Sequence, residues 1–376
     1  VWPTLFHVVP KGPWKSTISW KVDDDAEKEE GSEAKGLPGI VRSRTSKSLK
    51  TFGSKLITKF GAELDLAGAG IAYACRRGRK FNFSPNQDSW CVMQATQDIW
   101  IYGVFDGHGK NGYILSDYVA DALPRLIAQH GSFIIGDMAQ AIMDVFRDMQ
   151  RLIMDDTKSG RLDATLSGTT ATIIIHERSL GKFTVGQVGN SSCVLRKEGR
   201  RSGSLISACL GYSKRSWGSS RHLIKDHVPT RPMERRRIEK AGGRILFDGY
   251  RHHRVFIGGA AYPGLKVSRS LGDATGHSEL GISADPTIVG RKVDVSDSFL
   301  ILGSDGIWEY MSPKEATQVL LHQGQPTESL SDATERLASE AQKRWQREGQ
   351  GFVDDVAVIV INLQASQLSR PAVSAV

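Results

Sequence analysis

Several aspartates lie at the ends of short apolar runs, where their side chains could meet at one edge of a sheet. Asp106 follows the run Ile99–Phe105, and Asp305 follows Phe299–Leu302. Three further acids directly precede such runs: Asp88, Asp354 and Asp355. Carboxylate oxygens are the ligands that Mg²⁺ and Mn²⁺ prefer, and both ions commonly keep bound water. The pattern therefore indicates a site for hard divalent cations.

The segment Val104–Gly109 carries the most specific chemical pattern, because Asp106, Gly107 and His108 are consecutive. A single Asp-Gly pair is more often a turn than a ligand, and a single histidine is more often a packed or surface group. Here glycines flank the imidazole on both sides, and a glycine beside an acid lets a backbone carbonyl approach an ion. We therefore expect His108 to project into a site rather than to pack.

The elements that must position these residues occur in blocks. Strand-type runs occupy 70–105, two helices are expected at 112–130 and 136–155, strands return over 169–196, a helix runs from Pro232 to Ala241, a helix begins at Ser312, a long helix covers 328–347, and a last strand covers 356–361. Blocks of strands and helices in this order favour an α+β fold in which helices cover the outer faces of sheets.

Periodicity and composition divide the chain into three parts. The first 60 residues lack sustained periodicity and are rich in Gly, Ser, Lys and acids, as in a loosely packed extension. We therefore predict an N-terminal extension over 1–67, one folded domain over 68–365 and a C-terminal tail over 366–376.

The net charge of +8 is unevenly distributed. Residues 23–33 are acidic, whereas 40–60 and 196–254 are strongly basic. Such runs are usually solvated surface, and the alternatives are a nucleic-acid site or a surface for phosphorylated partners. Because no zinc finger, RNP-type aromatic motif or basic heptad helix accompanies the charge, nucleic acid is the weaker alternative.

The remaining composition is that of an ordinary globular protein, 40% hydrophobic and 24% charged. No apolar run approaches the roughly 20 residues of a membrane span, and the first residues do not resemble a signal peptide. The four cysteines are scattered, which favours reduced thiols in a reducing compartment. We therefore expect a cytoplasmic or nuclear protein, with peripheral membrane association left open.

Short motifs in a fixed order over residues 70–362 match those of one family. They are Asn86-Gln-Asp88, Phe105-Asp-Gly-His-Gly109, Ser167-Gly-Thr-Thr-Ala171, Val188-Gly-Asn-Ser191, Lys225-Asp-His-Val-Pro229, Glu234 to Gly243, Leu265-Lys-Val-Ser-Arg-Ser-Leu-Gly-Asp273, Ser304-Asp-Gly-Ile-Trp-Glu309 and Val353-Asp-Asp355. In these motifs the chain resembles the metal-dependent, type 2C Ser/Thr protein phosphatases. Each motif is weak alone, but the complete ordered set leaves little room for a chance match.

The resemblance implies a four-layer α/β/β/α sandwich, with two antiparallel sheets between helices. It also implies hydrolysis of phosphoserine and phosphothreonine in phosphorylated proteins by metal-activated water, with two Mg²⁺ or Mn²⁺ ions per active site. Asp106 would bridge the ions, and the Gly107 carbonyl would bind the second. Asp305 and Asp354 would complete the first ion, and Asp88 would face the water shell.

Two further roles follow from the resemblance. His108 would protonate the departing Ser or Thr oxygen, a task that suits a group titrating near neutrality. The arginine that binds phosphate in the family is replaced by Phe83 at its usual place. Four basic residues lie slightly upstream: Arg76, Arg77, Arg79 and Lys80. We select Arg77, because a guanidinium suits phosphate, although a solvated basic turn is nearly as common an explanation.

Three departures from the family pattern leave an alternative open. Gln87 stands where many members have Glu, Asn190 replaces an Asp often linked to a third metal, and Ser192 replaces an Arg. A weakly active or inactive member that acts as a phosphoprotein-binding scaffold is therefore the second hypothesis. The intact carboxylates and His108 favour the enzyme.

By position, residues 199–222 and 244–262 resemble the flap and loop beside the family's active site. Basic residues there, such as Arg200, Arg201 and Arg215, would favour acidic or phosphorylated partner surfaces. We expect a monomer that binds phosphorylated proteins and no nucleic acid.

Overall fold

Three antiparallel β-sheets form the framework of the computed structural model, which describes residues 38–45, 55–80, 85–199, 218–321 and 328–365. The largest sheet has nine strands: β1 (Gly39–Thr45), β2 (Lys55–Phe60), β4 (Asp88–Gln94), β5 (Ile99–His108), β6 (Gly168–Thr169), β7 (Ala171–Glu177), β8 (Lys182–Val188), β14 (Leu271–Gly272) and β15 (Thr287–Lys292). The second has five: β3 (Ile71–Arg76), β9 (Ser192–Lys197), β10 (Ser219–His222), β16 (Asp297–Gly303) and β17 (Val356–Asn362). A small third sheet contains β11 (Arg244–Phe247), β12 (His253–Phe256) and β13 (Pro263–Leu265).

The helices begin and end close to where sequence periodicity and capping patterns place them. They are α1 (Gly112–Gln129), α2 (Gly131–Ile134), α3 (Met138–Lys158), α4 (Pro232–Lys240), α5 (Ala274–Glu279), α6 (Asp305–Trp308), α7 (Pro313–Leu320) and α8 (Leu330–Glu348). The predicted start at Ser312 is a capping box with Glu315, which satisfies free N–H groups at the start of α7.

Alternate residues of β5 point into two different cores, because successive side chains of a strand lie on opposite faces. Ile101 and Phe105 pack in a cluster with α1 and α3, whereas Tyr102 and Val104 pack between the two large sheets. A third cluster joins the outer face of β16 and β17 to α7 and α8. These three cores separate four layers, so the predicted α/β/β/α sandwich is confirmed.

The folded sheet begins earlier than Gly68, the residue where we expected the domain to start. β1 pairs with β4 and with β2, so this N-terminal hairpin extends the largest sheet. Arg42 forms an ion pair with Asp121 at 3.0 Å, and the buried Lys55 ammonium lies 2.8 Å from Asp117. The expectation that basic residues of 40–60 are solvated is therefore wrong for Arg42 and Lys55, which bind acids of α1.

Several expectations concern residues that the structure does not describe. The acidic run 23–33, the tail 366–376 and the flap arginines Arg200, Arg201 and Arg215 lie outside the described residues. Among the residues that the structure describes, no helix is both long enough and apolar enough to cross a membrane. Cys75, Cys91 and Cys193 are free thiols.

Candidate active site

Neighbouring strands of the largest sheet bring the first two carboxylates together. Asp88 opens β4, and it lies directly opposite Asp106 of β5 in the strand register. The backbone of Asp106 is fixed by Thr170, whose hydroxyl accepts its N–H at 3.0 Å and whose N–H donates to its carbonyl at 2.9 Å. Asp88 is buried, and its Oδ2 accepts a hydrogen bond of 2.6 Å from the hydroxyl of Ser304, the residue that follows β16 of the second sheet. The pairing therefore places both acids at the junction of the two sheets.

The second sheet contributes Asp305 and Asp354 to the same place. Asp305 is the first residue of α6, directly after β16, and Asp354 lies just before β17. Gly306 permits this approach, since a Cβ there would lie 1.9 Å from the Asp355 carbonyl oxygen. Asp305, Asp88 and Asp354 all lie near enough to Asp106 for their charges to act on it.

The carboxylates repel one another strongly. Burial and the charges of Asp305 and Asp88 raise the pKa of Asp106 well above its usual value. Burial and Asp355 similarly raise the pKa of Asp88, and burial and Asp305 raise the pKa of Asp354. Like charges that cannot separate favour either protonation or a bound cation.

Two lysines partly neutralise the negative charge of these carboxylates. The Lys80 ammonium lies 2.6 Å from Asp355 Oδ2 and 3.4 Å from Asp354 Oδ1. The Lys266 ammonium bonds to Asp305 Oδ2, and burial of Asp305 is outweighed by this partner, so the pKa of Asp305 is lowered. Sequence reasoning gave Lys266 no role, although a lysine between the apolar Leu265 and Val267 was a usable sign.

Asp355 is held by the backbone rather than facing the other acids freely. Its two oxygens accept the N–H groups of Gly78 and Gln87, both at 2.8 Å. It therefore ties the segment between β3 and β4 to the start of β17. This segment carries the basic residues considered for phosphate binding.

Of those basic residues, Lys80 reaches the carboxylates. Arg76 instead forms an ion pair with Glu335 of α8, with its Nε 3.0 Å from the carboxylate. The side chain of Arg77 is half-buried, and its backbone carbonyl accepts a 3.0 Å hydrogen bond from Gln342. The role of Arg77 in binding phosphate stays a prediction.

His108 is held by an aspartate to which sequence reasoning gave no role. The His108 Nε2 atom lies 2.7 Å from Asp273 Oδ2, and Ser270 donates to the same oxygen at 2.5 Å. Asp273 is buried in a left-handed conformation, with φ of 43°. Burial favours a higher pKa for Asp273, but His108 and Ser270 hold it below its usual value. The carboxylate is therefore ionised and orients the imidazole.

Glycines let this pair form. A Cβ at Gly168 would lie 2.3 Å from Asp273 Oδ2, so a larger residue there would push the carboxylate away from His108. A Cβ at Gly107 would lie 2.2 Å from the Gly112 carbonyl oxygen and 2.8 Å from that of Gln87. The backbone before His108, at Gly107, and the strand residue opposite it, Gly168, are therefore packed too closely to carry a side chain.

Three residues that depart from the family pattern make internal hydrogen bonds, whereas the fourth, Phe83, lies outside the described residues. The Gln87 amide donates to the Gly109 carbonyl at 2.7 Å. The Asn190 amide donates to Asp305 Oδ2 at 2.9 Å, and Ser192 donates to Asp226. Burial raises the pKa of Asp226 to about 6, although Ser192 opposes this rise. These substitutions thus hold the loops around the acids.

The donor set suits a hard cation in its chemistry, although its oxygens are not grouped as a finished cage. In the described ranges, no three His, Cys, Asp or Glu side chains already form a group that could hold a metal ion. However, Asp305 Oδ1 and Asn190 Oδ1 are buried acceptors without a hydrogen-bond partner. Orphaned oxygens beside mutually repelling carboxylates are the environment that a divalent ion satisfies.

Comparisons with known proteins identify the family of the chain. Residues 75–348 match the family model described as protein phosphatase 2C. An Arabidopsis thaliana protein, probable protein phosphatase 2C 73, is 27% identical over 341 residues, which are 83% of this chain and 84% of that one. Probable protein phosphatase 2C 59 from the same plant is 31% identical over 295 residues, covering 78% and 80% of the two chains.

Solved structures share the fold at lower sequence identity. The crystal structure of serine-threonine phosphatase 2C from Toxoplasma gondii superposes with a TM-score of 0.63 and 18% identity, over 78% of this chain and 94% of that chain. A sex determining protein of C. elegans gives a TM-score of 0.62 at 19% identity, over 83% and 69% of the two chains.

Proposed function

Since the chain belongs to the protein phosphatase 2C family, we propose that it hydrolyses phosphoserine and phosphothreonine in protein substrates with the help of Mg²⁺ or Mn²⁺. The observation that carries this proposal is the meeting of Asp106, Asp305 and Asp354 beside a histidine held by Asp273. The ions, when bound, would lower the pKa of a water molecule and stabilise negative charge on the phosphoryl group.

The chain's own residues would hold two ions through oxygen atoms. Asp106 would contribute to both ions, and the Gly107 carbonyl would bind the second. Asp305 and Asp354 would bind the first, and Asp88 would orient water. Mutual repulsion of these acids supports the assignment, since an ion would relieve it.

His108 would act as the proton donor to the leaving oxygen. Because its Nε2 is bonded to Asp273, the protonated ring would transfer the proton carried on Nδ1. The other ring proton would stay on Nε2 and donate a hydrogen bond to the Asp273 carboxylate, which would stabilise the charged ring before the transfer. Arg77 would bind the phosphoryl oxygens of the substrate. We also predict that the protein is a monomer and that it is located in the cytoplasm or the nucleus.

The test is release of phosphate from phosphoserine and phosphothreonine peptides, with and without Mn²⁺. We expect Mn²⁺-dependent turnover in the natural chain and loss to background in Asp106→Ala, because this acid is assigned to both ions. Asp155→Ala, which removes an exposed carboxylate at the end of α3, should retain full activity.

The scaffold hypothesis predicts a different result. Such a protein would bind phosphopeptides and Mn²⁺ but release no phosphate from any of them, and Asp106→Ala would then change nothing in the turnover assay. That outcome would contradict the proposed enzyme.

A further inference from the structure

One oxygen of Asp305 is shared by two internal donors. The Lys266 ammonium and the Asn190 amide both donate to Oδ2, whereas Oδ1 has no partner. A cation that binds this carboxylate can therefore use Oδ1 freely but must compete with Lys266 for Oδ2.

The Lys266 side chain is held in place by the chain on either side of it. Just beyond it, Ser268 and Arg269 are bound by the buried carboxylate of Glu234, at 2.8 Å and 2.6 Å. On the other side, Leu265 packs in the core of the small sheet. The Lys266 side chain is only a quarter exposed, so water screens its charge weakly.

We propose that the Lys266 ammonium is a built-in cation at Asp305, which weakens the binding of divalent metal to that carboxylate. The inference rests on the proposed metal centre and adds a residue to it. A divalent ion near Asp305 meets a positive charge that is already bound there, and the two cations repel at short range. Asn190, which brings no charge of its own, cannot offset this repulsion as an aspartate would.

Isothermal titration of Mn²⁺ into EDTA-stripped protein tests the proposal without any catalytic assay. Lys266→Met keeps the length of the side chain and removes its charge. We expect it to lower the dissociation constant for Mn²⁺ on the order of tenfold or more. Lys292→Met is the matched control, because Lys292 is exposed at the end of β15 that is remote from Gln187 and Asn190. It should leave the constant unchanged.

Thermal unfolding supplies a second measurement. Lys266→Met leaves Asp305 without its counter-charge, so the metal-free protein should unfold at a lower temperature than the natural chain. The rise in Tm on adding Mn²⁺ should be larger in the variant, because tighter binding to the folded state stabilises it more. A variant that folds only when Mn²⁺ is present would also support the proposal.

Lys266→Gln guards against a specific packing effect of methionine, since it retains a hydrogen-bond donor for Asp305. It should also bind Mn²⁺ more tightly. An unchanged or weaker affinity in both variants, with the natural chain binding Mn²⁺, would overturn this inference alone. Absence of Mn²⁺ binding in the natural chain and in both variants would instead overturn the metal centre on which it rests.

Discussion

His108 has one ring nitrogen bonded to Asp273, and its other ring nitrogen is the one that we propose as the proton donor. The 2.7 Å contact through Nε2 fixes the plane of the ring, and the burial of Asp273 makes the contact hard for water to replace. Under the proposed function, Asp273 would therefore act as a positioning residue, through its contact with the imidazole.

Replacing Asp273 with Asn tests this role at the scale of one residue. The amide is the same size but does not stabilise a charged ring, so kcat on a phosphopeptide should fall about 10- to 100-fold. An aryl phosphate should lose much less, because its leaving group needs little help from a proton.

A merely structural role for Asp273 would reduce both activities equally and lower Tm. Parallel turnover assays on the two substrates, together with thermal unfolding, distinguish these outcomes. Asp155→Asn, on the exposed end of α3, should change neither Tm nor the ratio of the activities on the phosphopeptide and the aryl phosphate.

At the scale of elements, a buried lysine of the N-terminal hairpin contacts three other elements, in addition to the ion pair of Arg42 with α1. The Lys55 ammonium donates to Thr45, Ser89 and Asp117, all at 2.8 to 2.9 Å. This single group therefore connects β2, β1, β4 and α1. Burial alone would raise the pKa of Asp117, but Lys55 holds it below its usual value.

Lys55→Met should destabilise the protein by about 3 kcal/mol, because it leaves the charge of Asp117 without its positive partner. Urea unfolding at neutral pH measures the loss. Adding Asp117→Asn should recover part of it, since the uncompensated charge is then gone. Lys59→Met, on the same strand but exposed, should have little effect. Equal losses for the two lysines would refute the assigned contact.

At the scale of the whole molecule, Glu234 links stability to pH. Burial alone would raise its pKa, but Arg269, Arg237 and Ser268 lower it to about 2. A carboxyl whose folded pKa lies below its unfolded value stabilises the protein above the unfolded pKa, near 4.5, and this contribution is lost as pH falls toward 2.

Glu234→Gln should cost about 2 kcal/mol at neutral pH, since hydrogen bonds to a charged group are lost. The difference from the natural chain should shrink as pH falls from about 4.5 toward about 2, because the unfolded natural chain binds a proton at Glu234 in this range while the folded chain keeps the carboxylate ionised. Urea titrations over that pH series provide the measurement. A difference that is independent of pH would show that the charge contributes nothing.

Local patterns in the sequence predicted an α+β fold, most helix bounds and the strand-end acids, since periodicity and capping depend on neighbouring residues. The four layers were predicted from the family resemblance. Local patterns did not predict the hairpin, because the acids that neutralise Arg42 and Lys55 lie on α1, far along the chain. Lys266 and Asp273 were missed for the same reason. Each acquires its role from a partner, Asp305 or His108, that only the fold brings near.

The hairpin also determines which strand lies at the margin of the largest sheet. β1 covers β4, and β2 follows it with the charged Lys55 and Lys59. A chain shortened to begin at Gly68 would keep the pairing of β4 with β5 but leave the opposite edge of this buried, apolar strand without a partner. Exposed edges of this kind recruit further strands, so the shortened protein would aggregate by edge-to-edge association even with every catalytic group intact.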